Sequence, residues 1–198
     1  MIETARYVTR DGAITGARIA RPANATLSRN ALVFVHGVGS TAAIWEPQLE
    51  AFGSERLCTA IELRGNGALT PDPDPALITR TGFREDVLAV ADALDIQRFV
   101  IVGCSLGGVV AFELWQHAPQ RLGSMVILGS FARYPDGERY AERIRAQARE
   151  LGSMRAFAQA RAAKLGLPPD RLRETIEQYA CKSLECFLAA TQATWTGD

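Results

Sequence analysis

Four short, almost uninterrupted apolar runs, at residues 31–35, 57–61, 99–103 and 124–128, constrain this chain more than any other feature. A strand with one wet face alternates polar and apolar side chains, whereas a strand apolar throughout is buried on both faces. That is the habit of parallel sheets covered by helices. Parallel neighbours also need a crossover between them, usually a helix. Residues 79–94 provide one, with Phe83, Val87, Leu88, Ala91 and Leu94 recurring at helical spacing, Thr81 as the expected cap and Glu85 in the first turns.

The two ends of the chain read differently. At the start, alternating runs at 5–9 and 13–20 flank Arg10-Asp11-Gly12, which predicts a hairpin that opens an antiparallel edge. After Arg133 no strand pattern follows. Residues 138–151, 154–165, 170–181 and 184–191 read as helices, broken by Gly152 and by Leu167-Pro168-Pro169. The expected fold is therefore α/β: a mostly parallel sheet with flanking helices over residues 1–132, then a helical cap over 133–198.

Composition narrows the function classes. With 198 residues, 47% hydrophobic and 22% charged, the chain has enough apolar material for one well-buried core. Basic and acidic residues balance at 22 each, so there is no positive field to gather phosphates, and nucleic acid is not an expected partner. The opening MIETARYVTRDG has no apolar run, and the longest apolar stretches are strand-length, so neither a leader nor a membrane span is expected and the placement is cytoplasmic. Cys58, Cys104, Cys181 and Cys186 form no ligand-like spacing and read as reduced thiols, with no metal site.

The sharpest chemical signal is Gly103-Cys104-Ser105-Leu106-Gly107-Gly108, which fits G-x-S-x-G at the end of a strand and the start of a helix. Such a turn forces the serine into a strained backbone conformation, and the glycines admit neighbouring chain, so the hydroxyl projects above the sheet. The following helix, through Val109, Val110, Phe112 and Trp115, aims its positive end at that hydroxyl. Ser105 is the candidate nucleophile. A second signal, His36-Gly37-Val38-Gly39-Ser40, follows the apolar run 31–35. Its glycines free backbone N–H groups, and the N–H groups of Val38 and Leu106 are the candidate oxyanion donors, worth ~3 kcal/mol each in barrier height. For His36, a ring that braces the loop through backbone hydrogen bonds is the preferred reading over a proton-transfer role.

Taken in order, HGVGSTAAIW, ELRGNGAL and VGCSLGG resemble the α/β-hydrolase superfamily over roughly residues 5 to 130. Within it the likeness is greatest to enol-lactonases and related carboxylic-ester hydrolases, which share the H-G-x-G-S loop and an Arg-rich helical cap. Two positions depart from the D-x-R-G-H-G pattern: Glu62 stands where Asp is usual and Asn66 where His is usual. Both shape a loop rather than perform chemistry. The resemblance implies hydrolysis of a small carboxylic ester or lactone through an acyl-enzyme, with no cofactor. Ser105 argues against the dehalogenases and epoxide hydrolases of this fold, which carry Asp at the nucleophile position. His36, Trp45 and Phe131 are candidate pocket residues, with Met125 and Trp195 as further aromatic or apolar candidates; plain core is the commoner fate of such side chains.

The resemblance also shows what this stretch does not supply. In the superfamily the order is nucleophile, acid, histidine, yet the chain has two histidines. His36 precedes Ser105, and His117 lies twelve residues along the following helix, roughly 18 Å away. Asp136, in Pro135-Asp136-Gly137, reads as an ordinary turn more readily than as the acid. The expectation is that about a quarter of a usual chain, including strands seven and eight, lies outside this sequence. It is a fragment of a longer enzyme, one half of a two-chain enzyme, or a catalytically inactive ligand-binding or interaction protein. The strand at 124–128 carries no charge or proline to blunt an edge, so a complementing C-terminal segment or a second copy is expected against it.

Overall fold

A computed structural model describes residues 1–23, 30–164, 166 and 168–196. Six strands form one sheet in the order β1-β2-β4-β3-β5-β6. β1 (Ile2–Val8) and β2 (Ile14–Ala20) make the expected hairpin, closed by Thr9 N–H to the Ala13 carbonyl and by Gly12 at φ +81°. β2 then pairs antiparallel with β4 (Cys58–Glu62), and β4, β3 (Ala31–Val35), β5 (Phe99–Cys104) and β6 (Leu122–Leu128) run parallel.

The pleat divides the core. Val33 and Val35 of β3, with Ile61 and Ile101, face the cluster built on α2 (Arg80–Ala93) and α3 (Leu106–His117). Phe34 and Ala60 face the other way, onto Trp45 and Leu49 around α1 (Glu46–Phe52). Burial on both faces holds for β3 and β4 but not for β6. There Met125 and Ile127 pack against the α3 side, while Val126 and Leu128 are each 43% exposed. Among the described residues β6 is an edge with one bare face.

Two local expectations need correction. The cap of α2 is Thr79, not Thr81: the Thr79 hydroxyl accepts the Gly82 N–H at 2.9 Å from an extended backbone, whereas Thr81 is already inside the helix. The last helix, expected to end at residue 191, continues to Thr196. The helical block comprises α4 (Gly137–Leu151), α5 (Met154–Ala162), α6 (Pro169–Ala180) and α7 (Leu184–Thr196). Positions 165 and 167 of the expected α5 end and proline break lie outside the described residues. α7 packs on α4 and α5 on α6. Ala148, Met154, Phe157 and Phe187 form a small apolar cluster of their own. No helix among the described residues is long and apolar enough to cross a membrane.

Candidate active site

Ser105 sits between β5 and α3 with φ +51° and ψ −113°, a region closed to most side chains by sterics. Such a conformation costs about 1–3 kcal/mol and persists only where its surroundings fix it. Here they do so from several sides. Its N–H donates to the Leu128 carbonyl at 2.9 Å, and its carbonyl accepts from Gly108 N–H at 2.9 Å and from the Ser130 hydroxyl at 2.6 Å. The flanking glycines are required by approach: a Cβ on Gly103 would strike the Gly107 backbone, and one on Gly107 the Val35 carbonyl. The Ser105 side chain makes no capping hydrogen bond to its own helix, which leaves the hydroxyl free. Leu106 opens α3, so its N–H has no partner within the helix and adds to the positive end there.

The 36–40 loop closes over this turn. A Cβ on Gly37 would lie 3.2 Å from the Ser105 Cβ and 3.8 Å from its Oγ, so the loop backbone and the serine side chain are neighbours. His36 decides how that backbone is turned. Its ring is fully buried; the Leu63 N–H donates to Nε2 at 3.2 Å, so the ring proton sits on Nδ1 and is donated to the Gly37 carbonyl at 2.9 Å. Ser40 N–H also donates to that carbonyl, at 3.0 Å. The peptide is planar and trans, so a Gly37 carbonyl held toward His36 sends the Val38 N–H the opposite way. Burial holds His36 down to about 4, against the hydrogen bond to Gly37, and the nearby Lys182 charge lowers it further. A neutral imidazole with both nitrogens engaged is a brace, with neither a wall of a pocket nor a base to offer.

The other expected residues divide. Trp45 is buried on the α1 side, its ring 5.2 Å from that of Phe34, so it packs core where a pocket wall was expected. Met125 packs against the α2–α3 cluster. Phe131 stacks on Trp195 at 4.8 Å, and Tyr134 and Tyr140 complete an aromatic group at the foot of the cap. Asp136 is an exposed left-handed turn residue preceding α4, φ +55°. His117 ends α3, 3.4 Å from the Glu113 carboxylate, far along the helix from Ser105. Glu62 and Asn66 both serve the loop: Glu62 accepts the Leu69 N–H at 2.6 Å, and the Asn66 amide donates to the Arg64 carbonyl at 2.9 Å. Among the described residues no cluster of His, Cys, Asp or Glu is placed to hold a metal.

Two residues at the site gave no signal in the sequence. From the last turn of α6 the Tyr179 hydroxyl donates to the Val38 carbonyl at 3.4 Å, and from the α6–α7 junction Lys182 Nζ donates to the Gly39 carbonyl at 3.0 Å.

A strained serine between a parallel strand and a helix, faced by a glycine loop from the neighbouring strand, is an arrangement that goes with one class of α/β fold. Residues 32–197 match the alpha/beta hydrolase family, and the chain belongs to it. It is similar to 3-oxoadipate enol-lactonase 2 of Acinetobacter baylyi, 29% identical over 86% of this chain and 64% of that one. It is also similar to the putative carbamate hydrolase RutD of Rhizobium rhizogenes, 25% identical over 65% of this chain and 49% of that one. Its fold superimposes on a hydrolase of Pseudomonas aeruginosa with a TM-score of 0.83, at 25% identity, covering 99% of this chain and 74% of the other. The chain thus spans less than two thirds of the length of these two curated relatives.

Proposed function

We propose that this chain carries the nucleophile and oxyanion half of a hydrolase acting on a small carboxylic ester or lactone. The observation that carries the reading is the geometry of Ser105, a strained, otherwise unengaged serine at a helix N-terminus with Gly37 beside it. Ser105 Oγ attacks the substrate carbonyl while its proton passes to a base. The Val38 and Leu106 N–H groups hold the resulting oxyanion, the alcohol or ring oxygen leaves protonated, and water then releases the acid from the acyl-enzyme. The relatives named as an enol-lactonase and a carbamate hydrolase support an acyl-transfer substrate class. No metal or organic cofactor enters these steps.

Neither histidine of the chain can serve as that base, so the reading includes a complementing segment that pairs with β6 and brings acid and histidine to Ser105. Among the described residues β6 is the last strand of the sheet, which leaves its outer edge open to pairing. The cap is proposed as residues 133–198 and the core as 1–132, in a cytoplasmic protein.

A second reading is a catalytically silent ligand binder. The two part on one comparison, labelling by a fluorophosphonate and hydrolysis of an aryl ester by wild type and Ser105→Ala. Loss of both in the variant is expected; equal turnover by both proteins would eliminate Ser105, and absence of labelling in wild type even with any partner present would favour the binder.

A further inference from the structure

Three successive carbonyls of the glycine loop, those of Gly37, Val38 and Gly39, are each held by a donor, and the donors come from different parts of the molecule. Gly37 is held by His36, just beyond the end of β3, whereas Val38 is held by Tyr179 and Gly39 by Lys182, both from the cap. We propose that Tyr179 and Lys182 are positioning residues that tie the cap to the oxyanion loop, so that the α6–α7 region, when seated, adds to His36 in aiming the Val38 N–H. The inference rests on the proposed role of Val38 as an oxyanion donor.

The loop needs such restraint for a reason visible in its sequence. Gly37 and Gly39 flank Val38, and glycine leaves the backbone free to rotate on either side of the donor. Gly39 sits at φ +79°, and a Cβ there would collide with the Tyr179 ring, so the cap packs directly on the loop backbone as well as bonding to it. The Val38 side chain packs against both the core cluster and the cap cluster. Planar peptides transmit the fixation: a held Val38 carbonyl sets the Gly39 N–H, and a held Gly39 carbonyl sets the Ser40 N–H, which returns to the Gly37 carbonyl. The loop is thereby closed on itself from the cap side.

Lys182 is an expensive way to fill space, which points to a task. It is 6% exposed, and its ammonium donates to the Gly39 carbonyl at 3.0 Å and to the Gln178 carbonyl at 2.7 Å. The latter belongs to the C-terminal turn of α6, whose partial negative charge suits a cation. Burial brings Lys182 down to about 8, opposed by the charges of Cys181 and Glu62. A methionine would cover the same apolar surface without burying a charge, but it would leave the Gly39 carbonyl without this donor.

The test uses Lys182→Met, Lys182→Arg and Tyr179→Phe, the last keeping the ring packing so that one variant folds if Lys182→Met does not. Peptide-resolved hydrogen exchange should show residues 36–44 exchanging roughly fivefold to tenfold faster in Lys182→Met and Tyr179→Phe, the worth of about one hydrogen bond, with 31–35 unchanged. Lys182→Arg should stay nearer wild type. Wild-type exchange across the loop in both variants overturns the tie. Phenylboronic acid, which forms an anionic tetrahedral adduct on a nucleophilic serine, should bind at least about fivefold more weakly to the two variants, again the loss of about one hydrogen bond. Undiminished boronate affinity beside a loosened loop would overturn the link to the oxyanion donor. Ser105→Ala separates the two layers: if it binds the boronate as wild type does, the nucleophile reading fails, and exchange alone decides whether the cap holds the loop.

Discussion

Gly37 faces Ser105 so closely that a methyl group on it would stand 3.2 Å from the serine Cβ. Real Cβ contacts are rarely that tight, so one of the two backbones must yield by a few tenths of an ångström. Ser105 is fixed by the Leu128, Gly108 and Ser130 contacts, and the loop is the part that gives. Gly37→Ala should therefore displace the Val38 N–H with little effect on the fold. Misplacement of a catalytic group can cost about 10²-fold in rate. Fluorophosphonate labelling slowed by one to two orders of magnitude, at a melting temperature close to that of wild type, is the expected outcome; wild-type labelling would separate this loop from the chemistry.

His36 gives the fold a pH dependence whose sign is fixed. Its folded value is about 4 against an ordinary 6.5, so the folded chain keeps the ring neutral where the unfolded chain protonates it. Above pH 6.5 both states are neutral and nothing is lost. As pH falls from 6.5 to about 4 the unfolded state gains a proton alone, and stability falls, in total by on the order of 3 kcal/mol. Urea titrations at a series of pH values should show this loss in wild type and a flatter profile in His36→Asn. Superimposable profiles would assign the acid sensitivity elsewhere.

How far the sequence revealed this site depends on the range of the interaction concerned. The hairpin, the parallel strands, the serine turn and the glycine loop were legible because each is set by local chemistry: an apolar run, an Asp-Gly turn, glycines at points of close approach. Thr79 was missed as a cap because Thr79 and Thr81 offer the same hydroxyl, and only the extended backbone at 79 tells them apart. The exposure of Val126 and Leu128 was not legible from an apolar run, since burial depends on what packs across the sheet. Trp45 illustrates the same limit, for an aromatic after the glycine loop fits a pocket or a core until the pleat assigns its face. The contact of Lys182 with Gly39, 143 positions earlier, has no local signature.

Arg64 holds the hairpin, β4 and α2 together and should dominate their stability. It is fully buried; its backbone N–H and Nε each donate to Asp86 at 2.9 Å, and Nη1 reaches Asp11 at 2.6 Å and the Leu77 carbonyl at 3.1 Å. Removing one partner strands a buried charge, so Arg64→Met should cost about 3–5 kcal/mol in a urea titration. The double variant Arg64→Met with Asp86→Leu should recover part of that loss, because it leaves no charge to desolvate. No recovery would mean that the cost is carried by the lost bonds to Asp11, Thr9 and Leu77 together with the Arg64 N–H left without Asp86. Burial pushes the Asp11 carboxyl up, but hydrogen bonds from Arg64 and Thr9 outweigh it and hold the group at about 2. Its contribution is complete above its ordinary 3.8 and is lost only as pH falls toward about 2, below the window assigned to His36.

The cap cluster should loosen separately from the sheet. Phe157 is fully buried and Phe187 nearly so, with ring centroids 4.8 Å apart and Ala148 and Met154 around them, in a cluster distinct from the two that flank the strands. α6 buries no residue fully, so the cap depends on this cluster, on Cys186 and Ala190 of α7, which pack into the α2–α3 cluster, on the Arg80 bonds to the Ala193 and Thr194 carbonyls, and on the loop contacts of Tyr179 and Lys182. Phe157→Ala removes a full ring and leaves a cavity, a change worth about 3–5 kcal/mol where it is felt. If the cap is a cooperative unit of its own, that loss appears as local opening. Hydrogen exchange should then quicken over 144–162 and 184–190, while 31–35, 58–62 and 99–104 keep wild-type protection. Exchange that quickens equally in the strands would instead make cap and sheet one cooperative unit.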